Sequence, residues 1–171
     1  MVIVRKATEK DISNLSKKFL QYIEDKESKI YQENVAKFDI PEEYVRKALA
    51  EDTLTKAVAS GEAVFYVALE GDEIVGFAQT IRKNAHIAEL DRIVVFPPYE
   101  KKGIGTKLLQ HVVTDEQKIG TKIMTVNAGK DETQARKFYE KNGFKLTREM
   151  TIDTPWGKKI ELVVYELRLT S

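Results

Sequence analysis

Two groups of residues in this chain have the types and spacing that chemistry requires. The first is the run Glu100-Lys101-Lys102-Gly103-Ile104-Gly105-Thr106-Lys107. Glycines at 103 and 105 let backbone N–H groups approach an anion closely, and Lys101 and Lys102 add mobile positive charge. An apolar pattern at helical spacing (Ile104, Leu108, Leu109, Val112, Val113) starts inside the same run, so a new helix turns its positive end to the same place. The combination suits a phosphate or pyrophosphate; the alternative is a strand-to-helix connection whose glycines only make the turn. The second group is Glu89 and Asp91, two carboxylates that an unbroken strand puts on one face, an arrangement that suits a base with a raised pKa. The competing reading pairs each of them with Arg92 or a nearby lysine in a surface network.

The elements that position these groups follow from the patterning around them. Ile93-Val94-Val95-Phe96 is β-branched and aromatic and reads as a buried strand, stopped by Pro97 and Pro98. The glycine run fits neither a nucleotide P-loop, which needs Gly-x-x-x-x-Gly-Lys-Ser/Thr, nor the three-glycine dinucleotide fingerprint. Upstream, residues 2–5 form a first strand, and Thr8 with Asp11 opens a helix whose apolar stripe is Ile12, Leu15, Phe19, Tyr22 and Ile23. Residues 25–40 are polar and poorly periodic, a loop with a helical turn over 31–36. Pro41, at a first helical position, then opens a second helix that ends at Ser60-Gly61. Residues 63–69 and 74–81 form a hairpin around Glu70-Gly71-Asp72-Glu73, and a third strand begins near His86. Downstream, Gly120 closes the helix and 122–126 is a buried strand. A loop over 127–132 then leads to a helix with Ala135, Phe138 and Tyr139 that ends at Asn142-Gly143. Strands over 144–152 and 160–169 finish the chain. The order β-α-α-β-β-β-α-β-α-β-β predicts an α/β domain with a mixed sheet, and the absence of repeats and linkers predicts one domain over 1–171.

Composition narrows the function classes. The 171 residues are 42% hydrophobic and 32% charged, with a formal net charge of +1. That balance gives no reason to expect nucleic-acid or membrane attraction. No cysteine is present, which excludes disulfides, thiolate metal sites and an acyl-cysteine intermediate, and His86 and His111 are too few for a histidine metal cluster. The first residues lack the apolar run of a signal peptide, so a cytoplasmic location is expected.

The glycine run resembles motif A of the GCN5-related N-acetyltransferases, the GNAT family, written Gln/Arg-x-x-Gly-x-Gly/Ala after a strand ending in Val. Here Val95 ends the strand and Glu100-Lys101-Lys102-Gly103-Ile104-Gly105 follows. Glu100 stands where the family has Gln or Arg, and Lys101 where many members have Gly. A second segment, Ala135-Arg136-Lys137-Phe138-Tyr139-Glu140-Lys141-Asn142-Gly143-Phe144, is similar to the family's Ala-x-x-Phe/Leu-Tyr-x-x-x-Gly-Phe. Glu132 stands where the family often has Asn. In addition, Ala88-Glu89-Leu90-Asp91-Arg92-Ile93 resembles the PaiA-type polyamine acetyltransferases.

The resemblance implies a single-domain GNAT fold, with a mixed, mostly antiparallel central sheet flanked by helices on both faces. It implies acetyl-CoA as cosubstrate, no metal, and transfer of the acetyl group to a primary amine by direct attack in a ternary complex. The acceptor would be a small amine, a polyamine or a protein amino terminus. By the same resemblance the central strand splays from its neighbour after Val126, with a bulge near 93–95, and Ile93, Val94 and Val95 bind the pantetheine arm. Lys101, Lys102, Gly103, Ile104, Gly105, Thr106 and Lys107 hold the pyrophosphate, chiefly by backbone amides. Asn127 either contacts the cofactor arm or forms a turn. Tyr139 is the general acid for the leaving thiolate, and Glu89 or Asp91 the base, often through a water. Residues 21–60 hold nine Asp/Glu against six Lys/Arg, and an acidic mouth there would suit a cationic amine. Homodimers are common in the family, through an edge strand or the final hairpin. A module that binds acyl-CoA without turnover is the alternative from another class.

Overall fold

In the computed structural model, which describes residues 1–170, the chain opens with β1 (Val2–Lys6) and α1 (Glu9–Glu24). Thr8 and Asp11 form the expected capping box: the Asp11 N–H donates to Thr8 Oγ1 at 3.2 Å, and the Thr8 N–H to Asp11 Oδ2 at 2.8 Å. Asp11 also pairs with Arg5, and the two hydrogen-bonded partners hold its pKa below the usual carboxylate value although burial pushes it up. The turn expected over 31–36 is α2 (Lys29–Asn34), capped by Ser28 and followed by a 3-10 turn (Ala36–Phe38). The single helix expected after Pro41 is two, α3 (Glu42–Ala48) and α4 (Glu51–Ala59), and Pro41 is the cap residue rather than the first helical one. The break has a cause. Ser16 Oγ donates to the Leu49 carbonyl at 2.6 Å, and the buried Leu49 side chain seals against α1, so the backbone at Ala50 turns extended.

Beyond it come β2 (Ala63–Glu70), β3 (Glu73–Arg82), β4 (Ile87–Val95), α5 (Ile104–Lys118), β5 (Ile123–Gly129), α6 (Thr133–Lys141), β6 (Lys145–Asp153) and β7 (Lys159–Arg168). The strands form one sheet in the order β1-β2-β3-β4-β5-β7-β6, and only β4 and β5 run parallel. This is the mixed, mostly antiparallel sheet that the sequence predicts. One face carries Phe65, Val67 and Phe77 against Phe19 and Ile23 of α1 and Leu54 of α4. The other carries Tyr66, Ala78, Leu90, Val126 and Tyr165 against α5 and α6. At about 1.5–3 kcal/mol for each large apolar side chain taken from water, the two-sided packing fixes β3 and β4 firmly. On the α1 face the far strands are open instead, with Asn127, Arg148 and Arg168 exposed.

Two irregularities shape the centre. β4 pairs with β5 at only three positions, Ile87↔Ile123, Ala88↔Met124 and Glu89↔Thr125, and then the strands part. β5 continues along β7 to Gly129↔Leu162, whereas β4 follows β3. The splay thus comes at Thr125, one residue before the expected Val126. The bulge is also earlier than 93–95: Thr80 pairs with Leu90 and Gln79 with Arg92, so Asp91 is the extra residue. Before it Leu90 faces α5; after it Ile93 and Val95 do.

Candidate active site

After the 3-10 turn Pro97–Tyr99 the backbone runs Glu100 extended, Lys101 at φ +62° and Gly103 at φ +78°. Two left-handed residues separated by one other turn successive N–H groups toward a common side, a nest for an anion. Gly103 adopts this conformation without cost; a lysine there loses about 1–2 kcal/mol, which explains a glycine at the matching family position. Gly103 is also the N-cap of α5, and no side chain caps the first turn, so the helix terminus keeps its donors. Ile104 is buried and contributes backbone only. Lys102 lies 5.8 Å from the Tyr99 ring. Lys107 differs from expectation. Its ammonium donates to the Val2 carbonyl and its N–H to the Gly103 carbonyl at 3.1 Å, so the helix and β1 take it away from the loop.

Where β4 leaves β5, a cleft of about 430 Å³ opens, lined by Ile93 and Val95 of β4 and by Thr133, Ala135, Phe138 and Tyr139 of α6. A smaller hollow of about 270 Å³ adds Val94, Asn34 and Glu100 to Ile93, Val95 and Tyr139. Ile93, Val94, Val95 and Tyr139 therefore meet as the sequence predicts. Tyr139 is 8% exposed and rests edge-on to Phe138 with ring centres 5.6 Å apart, with Phe144 at 5.8 Å behind it. Burial, with a smaller contribution from Glu132, pushes the phenol pKa far above its ordinary value, so at neutral pH the hydroxyl carries its proton. The family-type pattern Ala135 to Gly143 is what sets that ring at the cleft: α6 ends at Asn142, and Gly143 turns the chain into Phe144.

Glu89 lies on the other face. Its β3 partner is Ile81 and its β5 partner Thr125, the last pair before the splay. Its side chain is 18% exposed, with Lys83 Nζ at 3.8 Å. Burial chiefly raises its pKa; Asp91, close enough to share a hydrogen bond, raises it further, and Lys83 opposes both. Asp91 Oδ2 stands 3.8 Å from Arg92 Nε. The two carboxylates lie together, and each has a cation at 3.8 Å. Asn127 is not in a loop. It is a strand residue opposite Val164, exposed on the open face rather than in the Tyr139 cleft, because Val126 and Ala128 take the α6 side.

The segment 29–38 is the part of the site that the sequence did not reveal. Lys29, Glu33 and Lys37 line the cleft. Lys29 Nζ donates to Glu100 Oε2 at 2.7 Å, and Lys37 Nζ lies 3.7 Å from Glu132 and 3.9 Å from Asp131. Glu100 and Glu132, the two acidic departures from the family pattern, are thus each matched by a lysine of this segment. Glu132 Oε1 also accepts from the Gly129 N–H at 2.7 Å. Trp156 Nε1 donates to the Phe38 carbonyl at 3.1 Å, and Lys158 pairs with Asp39, so the tip of the last hairpin is tied to the same segment. Trp156 and Tyr22 pack, on Tyr44 and Phe96 respectively, rather than line the cleft. Among the described residues no three His, Cys, Asp or Glu side chains converge to hold a metal ion, and no helix is long and apolar enough to cross a membrane.

Comparison with known proteins places this geometry. A family model described as an acetyltransferase (GNAT) domain matches residues 61–146, half of the chain. The uncharacterized N-acetyltransferase YvbK of Bacillus subtilis (strain 168) is 25% identical over 97 residues, which is 57% of this chain and 61% of that relative. Among solved structures, an N-acetyltransferase from Staphylococcus aureus Mu50 superimposes with a TM-score of 0.74 at 20% identity, covering 99% of both chains. The PaiA N-acetyltransferase from Thermoplasma acidophilum, in complex with coenzyme A, gives a TM-score of 0.66 at 21% identity, covering 95% of this chain and 98% of that one. At these identities the solved structures establish the fold.

Proposed function

The chain belongs to the GNAT acetyltransferase family, and from that premise we propose that it is an acetyl-CoA-dependent N-acetyltransferase acting on a primary amine. The observation that carries the reading is the seam between β4 and β5. There the freed β4 edge and the protonated Tyr139 line one cleft, the phosphate-type nest follows the end of β4, and the half-buried Glu89 sits on the opposite face of the same strand. The fit to acetyl-CoA rests on this chain's own groups. The nest at Lys101 to Gly103 and the uncapped start of α5 suit its pyrophosphate, and the Ile93–Val95 edge, unpaired on the β5 side, suits its amide-bearing arm. The cosubstrate supplies the thioester carbonyl.

Each residue then has a task. Glu89, with Asp91 beside it, takes the proton from the acceptor ammonium, and its raised pKa matches it better to an amine than an ordinary carboxylate would be. The β4 backbone N–H groups face the carbonyl oxygen, where negative charge develops. Tyr139, kept protonated by burial, donates to the departing sulfur. No cysteine exists to carry the acyl group, so the amine attacks directly.

The acceptor is a small amine, a polyamine or a protein amino terminus. Thiol release from acetyl-CoA across a panel of these, with no protein thiol to give background, tests the reading. Tyr139→Phe should lower kcat by about 10²-fold while calorimetric coenzyme binding persists. The second reading, a regulatory module that binds acyl-CoA without turnover, draws on Glu100, an acidic side chain beside the phosphate nest. Coenzyme binding with no thiol release from any amine would favour it.

A further inference from the structure

We propose that the acceptor is an amine carrying a carboxylate close to its amino group, and that Arg92 is the residue that reads that carboxylate. The inference rests on the acetyl-transfer reading above and narrows its substrate.

The bulge at Asp91 is the origin of the idea. On an unbroken strand, Glu89 and Arg92 would point to opposite faces. With Asp91 as the extra residue, Glu89 lies opposite Ile81 and Arg92 opposite Gln79, and those two β3 residues share a face. A cation therefore stands beside the base on the acceptor side of the sheet. Ladder pairing with β5 has ended at Glu89, so no β5 residue stands opposite Arg92.

Its bonding is incomplete. Arg92 is 32% exposed, and among the described residues its one ionic neighbour is Asp91 at 3.8 Å, beyond hydrogen-bond distance. Burial disfavours its charge and lowers its pKa, with only Asp91 opposing. Two other half-buried arginines, on the α5/α6 face, are satisfied: Arg82 donates to Glu116 at 2.6 Å and Arg136 to Tyr165 at 2.9 Å. A planar fork of donors with no hydrogen-bond acceptor among the described residues matches a carboxylate bidentately. With Glu89 and Asp91 on one side for an ammonium and Arg92 on the other for a carboxylate, the face presents the charge pattern of an amino acid in reverse.

The acidic mouth expected from residues 21–60 is offset in part: Asp39 pairs with Lys158, and Glu24, Glu33 and Glu42 have cations at 3.7–3.9 Å.

The test compares matched pairs of acceptors: α-amino acids and the amines left when their carboxylates are removed, such as phenylalanine against phenethylamine. Dipeptides, whose carboxylate lies farther from the amine, form a third arm that separates free amino acids from peptide ends. The expected result is a preference of about tenfold or more in kcat/KM for the carboxylate-bearing member. In Arg92→Gln the ratio within each pair collapses toward one through the acceptor KM, and Arg92→Lys recovers part of it. Because Arg92 makes no hydrogen bond among the described residues, both variants should melt like the wild type, and coenzyme affinity should not move. Turnover without preference in the wild type, or a loss in Arg92→Gln that falls equally on both members, overturns the proposal alone. Coenzyme binding with no turnover of any acceptor overturns the acetyl-transfer reading and this one with it.

Discussion

Two arginine–carboxylate clusters flank the centre of one sheet, and they are built to opposite standards. At the end of β3, Arg82 Nη2 donates to Glu116 Oε2 at 2.6 Å, Thr121 Oγ1 donates to the same carboxylate, and Glu116 is 4% exposed. On β4, Glu89, Asp91 and Arg92 are partly open, and their cation–carboxylate distances are 3.8 Å. The first cluster ties α5 to the sheet through two short hydrogen bonds to one buried carboxylate. The second leaves donors and acceptors unpaired, as the proposed acceptor site requires. Each sets an arginine beside a carboxylate; what differs is the closure of the hydrogen bonds.

The largest effect that can break this contrast is on catalysis. Glu89→Gln keeps the shape of the side chain but removes the base, and kcat should fall by about 10²–10⁴-fold with little change in melting temperature. The acid limb of the wild-type rate profile belongs to the same group. Glu89 must be ionised to act, and its pKa is raised by burial, so activity should be lost as pH falls at values above the ordinary glutamate range near ~4.3. Stability moves the other way over that window: a carboxyl that binds its proton more tightly when folded makes the fold less stable as pH rises through it. Lys83→Met, which removes the opposing cation, should shift the limb to higher pH. A limb that is unmoved in Glu89→Gln would assign the base elsewhere.

Next in size is a change that should touch stability alone. Arg82→Ala leaves Glu116 buried without its cation and should cost about 2–4 kcal/mol, the exposure of Arg82 holding it below the full value for a buried pair. For a chain of this length that lowers the melting temperature by roughly 2–4 °C per kcal/mol. Thiol release below the transition should be intact. If Arg82→Ala instead lowers kcat at full folding, the two clusters do not divide the work as their geometry implies.

Periodicity carried most of the fold into view. The seven strands, the Thr8–Asp11 box and the placement of Tyr139 on α6 all follow from residue spacing that local physics enforces. Features set by one strand's position against another did not follow. An extra residue at Asp91 leaves no mark in a run that alternates acceptably, yet it decides which face Arg92 takes. The split between α3 and α4 depends on Ser16, thirty-three positions away from the carbonyl it satisfies. Lys107 reads as a loop cation until β1 supplies the Val2 carbonyl. Likewise Glu100 and Glu132 look like unexplained departures until Lys29 and Lys37 are seen across the cleft, partners that a single sequence has no means of pairing.

The smallest expected effect asks whether distance or burial sets the worth of such pairs. Lys29 and Glu100 approach to 2.7 Å, nearly as close as Arg82 and Glu116, but their side chains are 42% and 29% exposed. The hydrogen bond to Glu100 raises the lysine pKa, so the ammonium stays charged at neutral pH. If contact distance alone mattered, breaking it would rival Arg82→Ala. Water competes for both groups, however, and ordering a long lysine costs side-chain freedom, so the coupling should be about 0.2–1 kcal/mol and should shrink with salt. A double-mutant cycle with Lys29→Met and Glu100→Gln, followed by denaturant unfolding at low and high ionic strength, measures it directly. A coupling this weak also fits the place of the pair: at the lip of the cleft, Lys29 can leave Glu100 for an incoming anion at little cost, whereas Arg82 has no such freedom. A salt-independent coupling of several kcal/mol would mean that contact distance outweighs solvent exposure here, and that the segment carrying Lys29 is clamped to the glycine loop rather than resting on it.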